Sequence, residues 1–350
     1  MRIENCKFTL LAMHSSAFNS PSSILHSPLK CVATIGSFDG VHRGHRSLLD
    51  QVRSIADERG LRAVAVTFDM APRMVLGKEE GGKTSLTSRD ERVALLRQAG
   101  MDEVVLLTFT HEMAQLTARE FMRQVLKEQL GVAVLVIGYD HRSGRGRTEG
   151  FDDYVRYGNQ LGIEVVRGVA CMDGTEAVSS TRIRSCVAEG AIAEANRLLG
   201  YPYMLSGRVV DGYKVGRKMG FPTANIQVDD VYKLLPADGV YAVKVDFVNN
   251  DDENDDENCH RDGNNCQLSI ANCQLGLGML NIGHRPTINN GEERSVEVHI
   301  LDFEGDLYGK SLRIEFLDRL RDELHFETID ELIAQLNADR EKVRKLAIDN

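Results

Sequence analysis

The sequence predicts an α/β protein in two parts, a doubly wound parallel α/β domain followed by a small antiparallel β-barrel with a terminal helix. Three observations lead to this prediction. The chain of 350 residues exceeds what one hydrophobic core usually supports. Strand-like and helix-like segments alternate before residue 200. After it, strand-like segments continue to the last helix. We therefore expect domains at residues 1–200 and 201–350.

The first domain begins with a strand, and a helix precedes each later strand, which is typical of parallel strands with right-handed crossovers. Serine or threonine precedes glutamate by three residues at 88–91 and 117–120, as in the capping boxes that start helices. Gly100 and Gly131 follow the last helical turns. The predicted elements are strand 31–36, helix 44–58, strand 62–68, helix 89–99, strand 103–108, helix 118–130, strand 132–138, helix 151–161 and strand 163–170.

In the second domain, turn residues separate the apolar segments, which favours antiparallel strands. Thr328 and Glu331 can cap a terminal helix within residues 328–347. The acidic tract at residues 249–266 cannot bury a core, so we expect a disordered insertion there. The predicted strands are 205–211, 239–247, 268–282, 295–303 and 311–317.

Composition excludes several classes of protein. The formal net charge of -10 comes mainly from the acidic tract, and nothing in it favours nucleic acid as a partner. No apolar run is long enough to cross a bilayer, and the first residues lack a secretory cleavage pattern. The cysteines include no C-x-x-C pair, which argues against a disulfide framework and a structural zinc site. We expect a cytoplasmic protein that is a monomer or a weak homo-oligomer.

The stretch IGSFDGVHRGH, residues 35–45, joins the first strand to the first helix. At the carboxyl ends of parallel strands, the free N–H groups and positive end of a helix attract an anion such as phosphate. Gly36 and Gly44 let a ligand approach the backbone, and His42 and His45 can donate hydrogen bonds to phosphoryl oxygens. A tight turn with two surface histidines is the alternative interpretation.

GSFDGVHRGH and the later stretch VSSTRIRS, which begins at residue 178, resemble the two motifs of nucleotidyltransferases with an H-x-G-H signature. The resemblance implies a Rossmann-like nucleotidyltransferase domain in which His42, His45 and Arg184 stabilise developing charge. Hydroxyls at a helix start can donate to phosphates, and arginine supplies a fixed positive fork. The implied nucleotide-binding residues of this domain are Gly36, Phe38, Asp39, Gly44, Ser180 and Thr181.

The stretch VIGYDHRSGRGRTEG, residues 136–150, is similar to the flavin-site loop of bacterial bifunctional riboflavin kinase/FAD synthetases. In that family, Gly138, Asp140 and Arg142 would help to hold the flavin nucleotide. Two departures from the family pattern are visible. Ser143 stands where phenylalanine is common, and residues 69–72 differ from the usual sequence.

The stretch GYKVGRKMGFPTANI, residues 212–226, resembles the riboflavin kinase signature of the same family. Hydroxyl and amide oxygens suit Mg²⁺, so the resemblance implies a metal beside Thr223 and Asn225. Alternation along a later strand separates Glu297 from its apolar neighbours, and Glu297 matches the family's catalytic carboxylate. The implied nucleotide-binding residues are Gly216, Arg217, Gly220, Pro222, Thr223 and Asn225, and the implied flavin-binding residues are Arg321, Glu323 and Phe326.

The resemblance implies a bifunctional enzyme of flavin cofactor synthesis. One ATP would phosphorylate riboflavin to FMN, and a second would adenylylate FMN to FAD with release of pyrophosphate. ATP is then the co-substrate, Mg²⁺ the metal, and FMN and FAD are product ligands, with no membrane partner. Two alternatives stay open. One is a riboflavin kinase whose N-terminal domain no longer adenylylates, suggested by Ser143 and residues 69–72, and the other is a flavin-binding protein without catalysis.

Overall fold

The computed structural model describes residues 30–77, 84–138, 149–169, 171–174, 176–212, 216, 219–248, 274–284 and 294–349. The chain divides into two compact units, Met1–Ser180 and Thr181–Asn350. Across the described ranges, no helix combines the length and the apolar composition that a membrane crossing requires.

The first unit contains a five-stranded parallel sheet. Its strands are β1 (Cys31–Ile35), β2 (Arg62–Phe68), β3 (Glu103–Leu107), β4 (Val132–Ile137) and β5 (Glu164–Arg167). They lie in the order β3-β2-β1-β4-β5, so the direction of winding reverses between β1 and β4. Ligands of open α/β sheets bind at the carboxyl ends of the strands at such a switch point. The predicted doubly wound parallel domain is confirmed.

Helices connect these strands in the predicted order. They are α1 (Arg43–Arg59), α2 (Pro72–Val75), α3 (Arg89–Gln98), α4 (His111–Gln115), α5 (Ala118–Phe121) and α6 (Phe151–Leu161). Helix α5 continues as a π-helical segment, Met122–Gln129, where the sequence predicts uninterrupted α-helix. Its buried side chains, Met122, Val125 and Leu126, recur three and four residues apart, a spacing that also fits an α-helix, so the hydrophobic pattern predicts α-helix here. The sequence did not predict three short features, because they have too few residues to show a hydrophobic period. They are helices α2 and α4 and the hairpin of β6 (Met172–Asp173) and β7 (Glu176–Ala177).

The predicted helix boundaries follow from local hydrogen bonds. Ser88 and Glu91 form a reciprocal capping box at the start of α3, and Thr117 and Glu120 form another at α5. Gly100 adopts a left-handed backbone, with φ of 84°, where the chain leaves α3. These caps satisfy backbone groups that the helix ends leave unpaired.

The second unit contains a closed antiparallel barrel. Its strands are β8 (Tyr203–Val210), β9 (Ala224–Val228), β10 (Gly239–Phe247), β11 (Gln274–His284), β12 (Arg294–Ile300) and β13 (Ser311–Arg321). They pair in the order β10-β11-β12-β9-β8-β13, and β13 returns to β10 to close the barrel. The predicted barrel is confirmed, although the sequence did not predict β9. Its five residues follow Pro222 and Thr223 and carry too few positions to reveal an alternation.

Two helices before residue 200 belong to the second unit rather than the first. Helix α7 (Ser180–Ala188) begins at the division, and α8 (Ile192–Leu199) packs on β8 and β13. The Asn196 side chain donates to the carbonyl of Phe316, and its Oδ1 accepts from Tyr203 N at 2.7 Å. These hydrogen bonds join α8 to the barrel, so the division falls before the predicted boundary at 200.

The terminal helix α9 (Ile329–Asp349) packs across the barrel. Its Val343 is fully buried in a cluster with Phe221 and Met279. Thr328 Oγ1 accepts from Glu331 N at 3.3 Å, as the cap prediction requires. The Glu331 carboxylate reaches the backbone of Glu327 instead of Thr328, so the box extends by one residue.

Candidate active sites

The loop between β1 and α1, residues 36–42, has a strained backbone, and we call it the β1–α1 loop. Phe38, Gly40 and Val41 have positive φ values of 47°, 82° and 32°. Phe38 and Val41 are also buried, and a β-branched residue rarely adopts this conformation. Such strain persists where the surrounding structure over-determines the backbone, and it clusters at ligand sites. The loop lies at the β1 side of the switch point.

Asp39 holds this loop against the segment before α3. Its Oδ1 accepts hydrogen bonds from Leu86 N at 2.8 Å and Thr87 N at 3.1 Å, and its backbone carbonyl accepts from Ser180 Oγ at 2.8 Å. The Thr87 hydroxyl accepts in turn from Gly40 N at 3.1 Å. The buried Asp39 carboxylate therefore organises the loop, while its predicted contact with a nucleotide stays a prediction.

The two histidines form a stacked pair at the start of α1. His42 is the N-cap residue, and its Nδ1 accepts from His45 N at 3.3 Å. The centroids of the two imidazole rings are 3.7 Å apart, and the angle between their planes is 17°. The Phe38 and His45 rings form a T-shaped pair whose centroids are 5.2 Å apart. Because Nδ1 of His42 is an acceptor, the neutral ring carries its proton on Nε2. This nitrogen can donate to an anion.

Burial, and secondly the charge of His42, lower the pKa of His45 well below its usual 6.5. The Nδ1 atom of His45 is itself buried and has no hydrogen-bond partner within the described part of the chain. His45 is therefore neutral at neutral pH. The first turn of α1 has no acidic residue, so its free N–H groups and the two rings form a site suited to an anion.

Gly36 in the loop and Gly44 in the first turn of α1 leave little space for a side chain. A Cβ on Gly44 would meet the His42 ring at 3.0 Å and the carbonyl oxygen of Val178 at 3.1 Å. A Cβ on Gly36 would meet the Phe38 ring at 3.2 Å. Both glycines thus let aromatic rings lie against the backbone, which adds to the predicted role of letting a ligand approach.

The structure describes only some of the remaining residues predicted for this site. Ser180 begins α7 and bonds to the β1–α1 loop, whereas Thr181 and Arg184 follow on the same helix within the second unit. Gly138 directly follows β4 at the switch point. Asp140 and Arg142, with Ser143, lie outside the described residues.

The second unit contains a cavity of about 600 Å³, which we call the barrel cavity. Its volume is in the range of small-molecule sites. Six residues that the sequence assigned to the kinase line it: Gly216, Thr223, Glu297, Arg321, Glu323 and Phe326. They come from three stretches of the chain, namely residues 212–226, strand β12, and the end of the next strand with the residues that follow it. Pro222, Gly220 and Asn225 are not among the lining residues, and Arg217 lies outside the described residues.

Strand register determines the position of Glu297. On β12, Val296 and Val298 are buried and Glu297 is half-buried on the opposite face, which confirms the predicted alternation. Glu297 is paired with Asn225 on β9 and with Asn281 on β11. The backbone of Glu297 is therefore held between two neighbouring strands.

Thr223 and Asn225 offer the oxygen ligands that Mg²⁺ prefers. Thr223 is exposed and lines the barrel cavity, whereas Asn225 is buried opposite Glu297. The Asn225 amide packs so closely on Gly212 that a Cβ there would overlap it. A hydroxyl, an amide and a carboxylate are donor types that suit a hard cation, and the metal at Thr223 and Asn225 stays a prediction.

One wall of the barrel cavity depends on a buried ion pair that the sequence did not reveal. Asp339 of α9 is fully buried and accepts from Arg321 Nε at 2.8 Å and from Gln335 Nε2 at 2.9 Å. The Arg321 guanidinium lies 5.9 Å from the Phe326 ring centroid. Glu323 accepts from the Asn281 amide at 3.2 Å. Arg321 and Glu323 are thus held in place before a ligand enters.

His299 also lines the barrel cavity. The sequence gave it no role, although alternation placed it on the same face of the strand as Glu297. Its Nδ1 lies 2.8 Å from the carbonyl oxygen of Pro222, and its ring meets Phe221 edge-on at 5.2 Å. His299 therefore links β12 to the stretch of residues 212–226 that resembles the riboflavin kinase signature. Residues such as His299 and Asp339 act through long-range contacts, for which a single sequence carries no spacing signal.

Comparisons with known proteins match both halves of the chain. A family model described as FAD synthetase covers residues 25–182, and one described as riboflavin kinase covers residues 199–347. A bifunctional riboflavin kinase/FMN adenylyltransferase from Pseudomonas fluorescens is 37% identical over 325 residues, 91% of this chain and 93% of that protein. One from Listeria monocytogenes is 34% identical over 89% of this chain and 91% of that protein. A solved structure described as a macrolide-efflux protein from Streptococcus pneumoniae has a TM-score of 0.77 and 32% identity, with 91% of this chain and 95% of that chain covered.

Proposed function

Because this chain belongs to the family of bifunctional riboflavin kinases/FMN adenylyltransferases, we propose that it converts riboflavin to FMN and FMN to FAD. Each step consumes one ATP, and the second releases pyrophosphate. The proposal assigns adenylylation to residues 1–200 and phosphorylation to residues 201–350. The observation that carries it is the assembly of six predicted kinase residues around one cavity, in a chain whose other half has a helix capped by His42 at a sheet switch point.

In the kinase reaction, Glu297 accepts the proton of the riboflavin 5'-hydroxyl as that oxygen attacks the γ-phosphorus of ATP. The two neighbouring strands fix the backbone that carries this side chain, and positioning supplies much of the catalysis in phosphoryl transfer. Gly216, Arg217, Gly220 and Pro222 form the nucleotide loop. The isoalloxazine ring is held by Arg321, Glu323 and Phe326.

Mg²⁺ would be held by Thr223 and Asn225 and would neutralise charge on the ATP phosphates when bound. The exposed Thr223 hydroxyl and the paired positions of Asn225 and Glu297 support this assignment.

In the adenylyl transfer, a phosphate oxygen of FMN attacks the α-phosphorus of ATP, and the bond to pyrophosphate breaks. His42 and His45 donate hydrogen bonds to the charge that develops, and Arg184 adds a positive fork. The N–H groups at the start of α1 hold the phosphates, with Ser180 and Thr181. FMN is held by Gly138, Asp140 and Arg142. The low pKa of His45 supports a neutral donor in this role.

The matched FAD synthetase model favours two activities over a riboflavin kinase alone. We also propose a cytoplasmic enzyme, monomeric or weakly homo-oligomeric, that uses neither nucleic acid nor membrane, because flavins and ATP are its reactants. The test supplies riboflavin, ATP and Mg²⁺ to the purified protein and separates the flavins by chromatography. Formation of FMN and FAD is expected. If FMN forms but FAD does not, even when FMN is supplied, the protein is a riboflavin kinase alone. If it binds flavin tightly and forms neither product, it is a flavin-binding protein.

A further inference from the structure

The strained β1–α1 loop needs a structure that holds it, and a candidate lies in the segment just before α3. Thr87 is 2% exposed, and its two neighbours in the contact, Asp39 and Gly40, belong to the loop. None of the predicted motifs includes Thr87. It lies 47 residues from Gly40 in the sequence, so the contact is produced by the fold.

The contact between Thr87 and the loop is reciprocal. Gly40 N donates to Thr87 Oγ1 at 3.1 Å, and Thr87 N donates to Asp39 Oδ1 at 3.1 Å. The hydroxyl also lies 3.4 Å from Asp39 Oδ1, to which it can donate. The hydroxyl therefore uses its donor and its acceptor capacity on two successive loop residues. Buried hydrogen bonds of this kind are costly to leave unmade.

Thr87 is itself rigidly held. The next residue, Ser88, is the N-cap of α3, where it exchanges hydrogen bonds with Glu91 at 3.2 and 2.8 Å. The loop residues that Thr87 holds lead directly to Val41, with φ of 32°, and then to His42, the N-cap of α1. A shift at Gly40 would therefore move the His42 ring at the start of α1.

We infer that Thr87 is a positioning residue for adenylyl transfer, acting through Gly40 and Asp39 on the orientation of His42. This inference rests on the proposed function of the first unit. Without the hydroxyl, the substrates still bind, but the donors that meet the reacting phosphate are displaced. We therefore expect the maximal rate to fall more than substrate affinity, because misplaced donors cost mainly transition-state stabilisation.

The experiment compares four full-length variants, of which Thr87→Ser and Thr87→Ala differ from each other by the hydroxyl alone. Thr87→Val removes the hydroxyl at nearly constant volume. Thr34→Val is the matched control, since Thr34 is a fully buried threonine of β1 whose Oγ1 has no hydrogen-bond partner in the described ranges. FAD formation from FMN and ATP gives kcat and KM for FMN, and FMN formation from riboflavin reports the kinase in the same molecule.

Thr87→Val and Thr87→Ala are expected to lower kcat for FAD formation about tenfold, with KM for FMN changed less than about twofold. Thr87→Ser and Thr34→Val are expected to stay within about twofold of wild type, and the kinase rate is expected to hold in all four. Equal FAD rates for the serine and alanine variants, or a parallel loss of kinase activity, would overturn the inference. Wild-type protein that forms no FAD would instead overturn the proposed function.

Discussion

The two proposed sites of this chain are built by different means. The β1–α1 loop depends on backbone geometry, because strained residues and buried hydrogen bonds orient two histidines at a helix start. The barrel cavity depends on side chains that strand pairing and an ion pair hold in place. Small packing changes should therefore impair the first site, whereas the second should respond mainly to loss of particular side chains.

Glu297→Gln should give the largest effect. The amide keeps the size of the side chain but cannot accept the hydroxyl proton, so FMN formation should fall by about 10²-fold or more. FAD formation from supplied FMN should be unchanged. Chromatography of the flavins measures both rates. Glu304→Gln, an exposed position in the turn after β12, is the matched control. Equal loss of both activities in Glu297→Gln would contradict the separation of the two sites.

His42→Asn tests the other side of the comparison. Asparagine is a good N-cap residue, so α1 should keep its start while the imidazole donor is lost. We expect FAD formation from FMN to fall by about 10²-fold, with riboflavin phosphorylation unchanged. His111→Ala, at an exposed position on α4, is the control. A variant with a normal FAD rate would exclude His42 from the chemistry.

Gly44→Ala adds one methyl group and tests whether close packing against the His42 ring matters for FAD formation. The new Cβ would press on the His42 ring and the Val178 carbonyl, so the ring must move. FAD formation should fall about tenfold, since a misplaced donor loses part of its stabilisation. Gly150→Ala is the control, because a Cβ there meets open space. If both variants kept the wild-type FAD rate, the close packing would be irrelevant to catalysis.

Asp339→Asn weakens the wall of the barrel cavity. The amide is nearly isosteric but removes the charge that holds Arg321. KM for riboflavin should rise about fivefold, while FAD formation from FMN should not change. The exposed Asp330→Asn on the same helix is the control. An unchanged KM would show that Arg321 needs no fixed partner.

The smallest effect concerns pH. The folded chain holds His45 neutral, because burial and then the His42 charge lower its pKa, whereas the unfolded chain protonates it below about 6.5. The free energy of unfolding should therefore be highest above that pH and decrease as the pH falls through the window beneath it. Urea unfolding of wild type and His45→Asn between about pH 7.5 and 5.5 measures this. The variant should show the weaker dependence, and identical curves would contradict the assignment.

The sequence predicted the sheet, the barrel and six residues that line the barrel cavity because periodic burial and short motifs are local signals. Glu297 is an example, since alternation along one strand identifies its face. Thr87 and Asp339 could not be found in this way. Their roles depend on partners 47 and 18 positions away, and only the folded chain brings these groups together. The positive φ values of Phe38 and Val41 could not be predicted either, because neither residue type favours that backbone conformation.

The central claim is that one chain carries two catalytic sites that work independently. The most direct test mixes purified Glu297→Gln and His42→Asn variants with riboflavin and ATP. Alone, the first should form FMN about 10²-fold more slowly than wild type, and the second should accumulate FMN while forming FAD about 10²-fold more slowly. The mixture should form FAD, because free FMN made by one variant is adenylylated by the other. A mixture that converts riboflavin to FMN but never to FAD would contradict the claim.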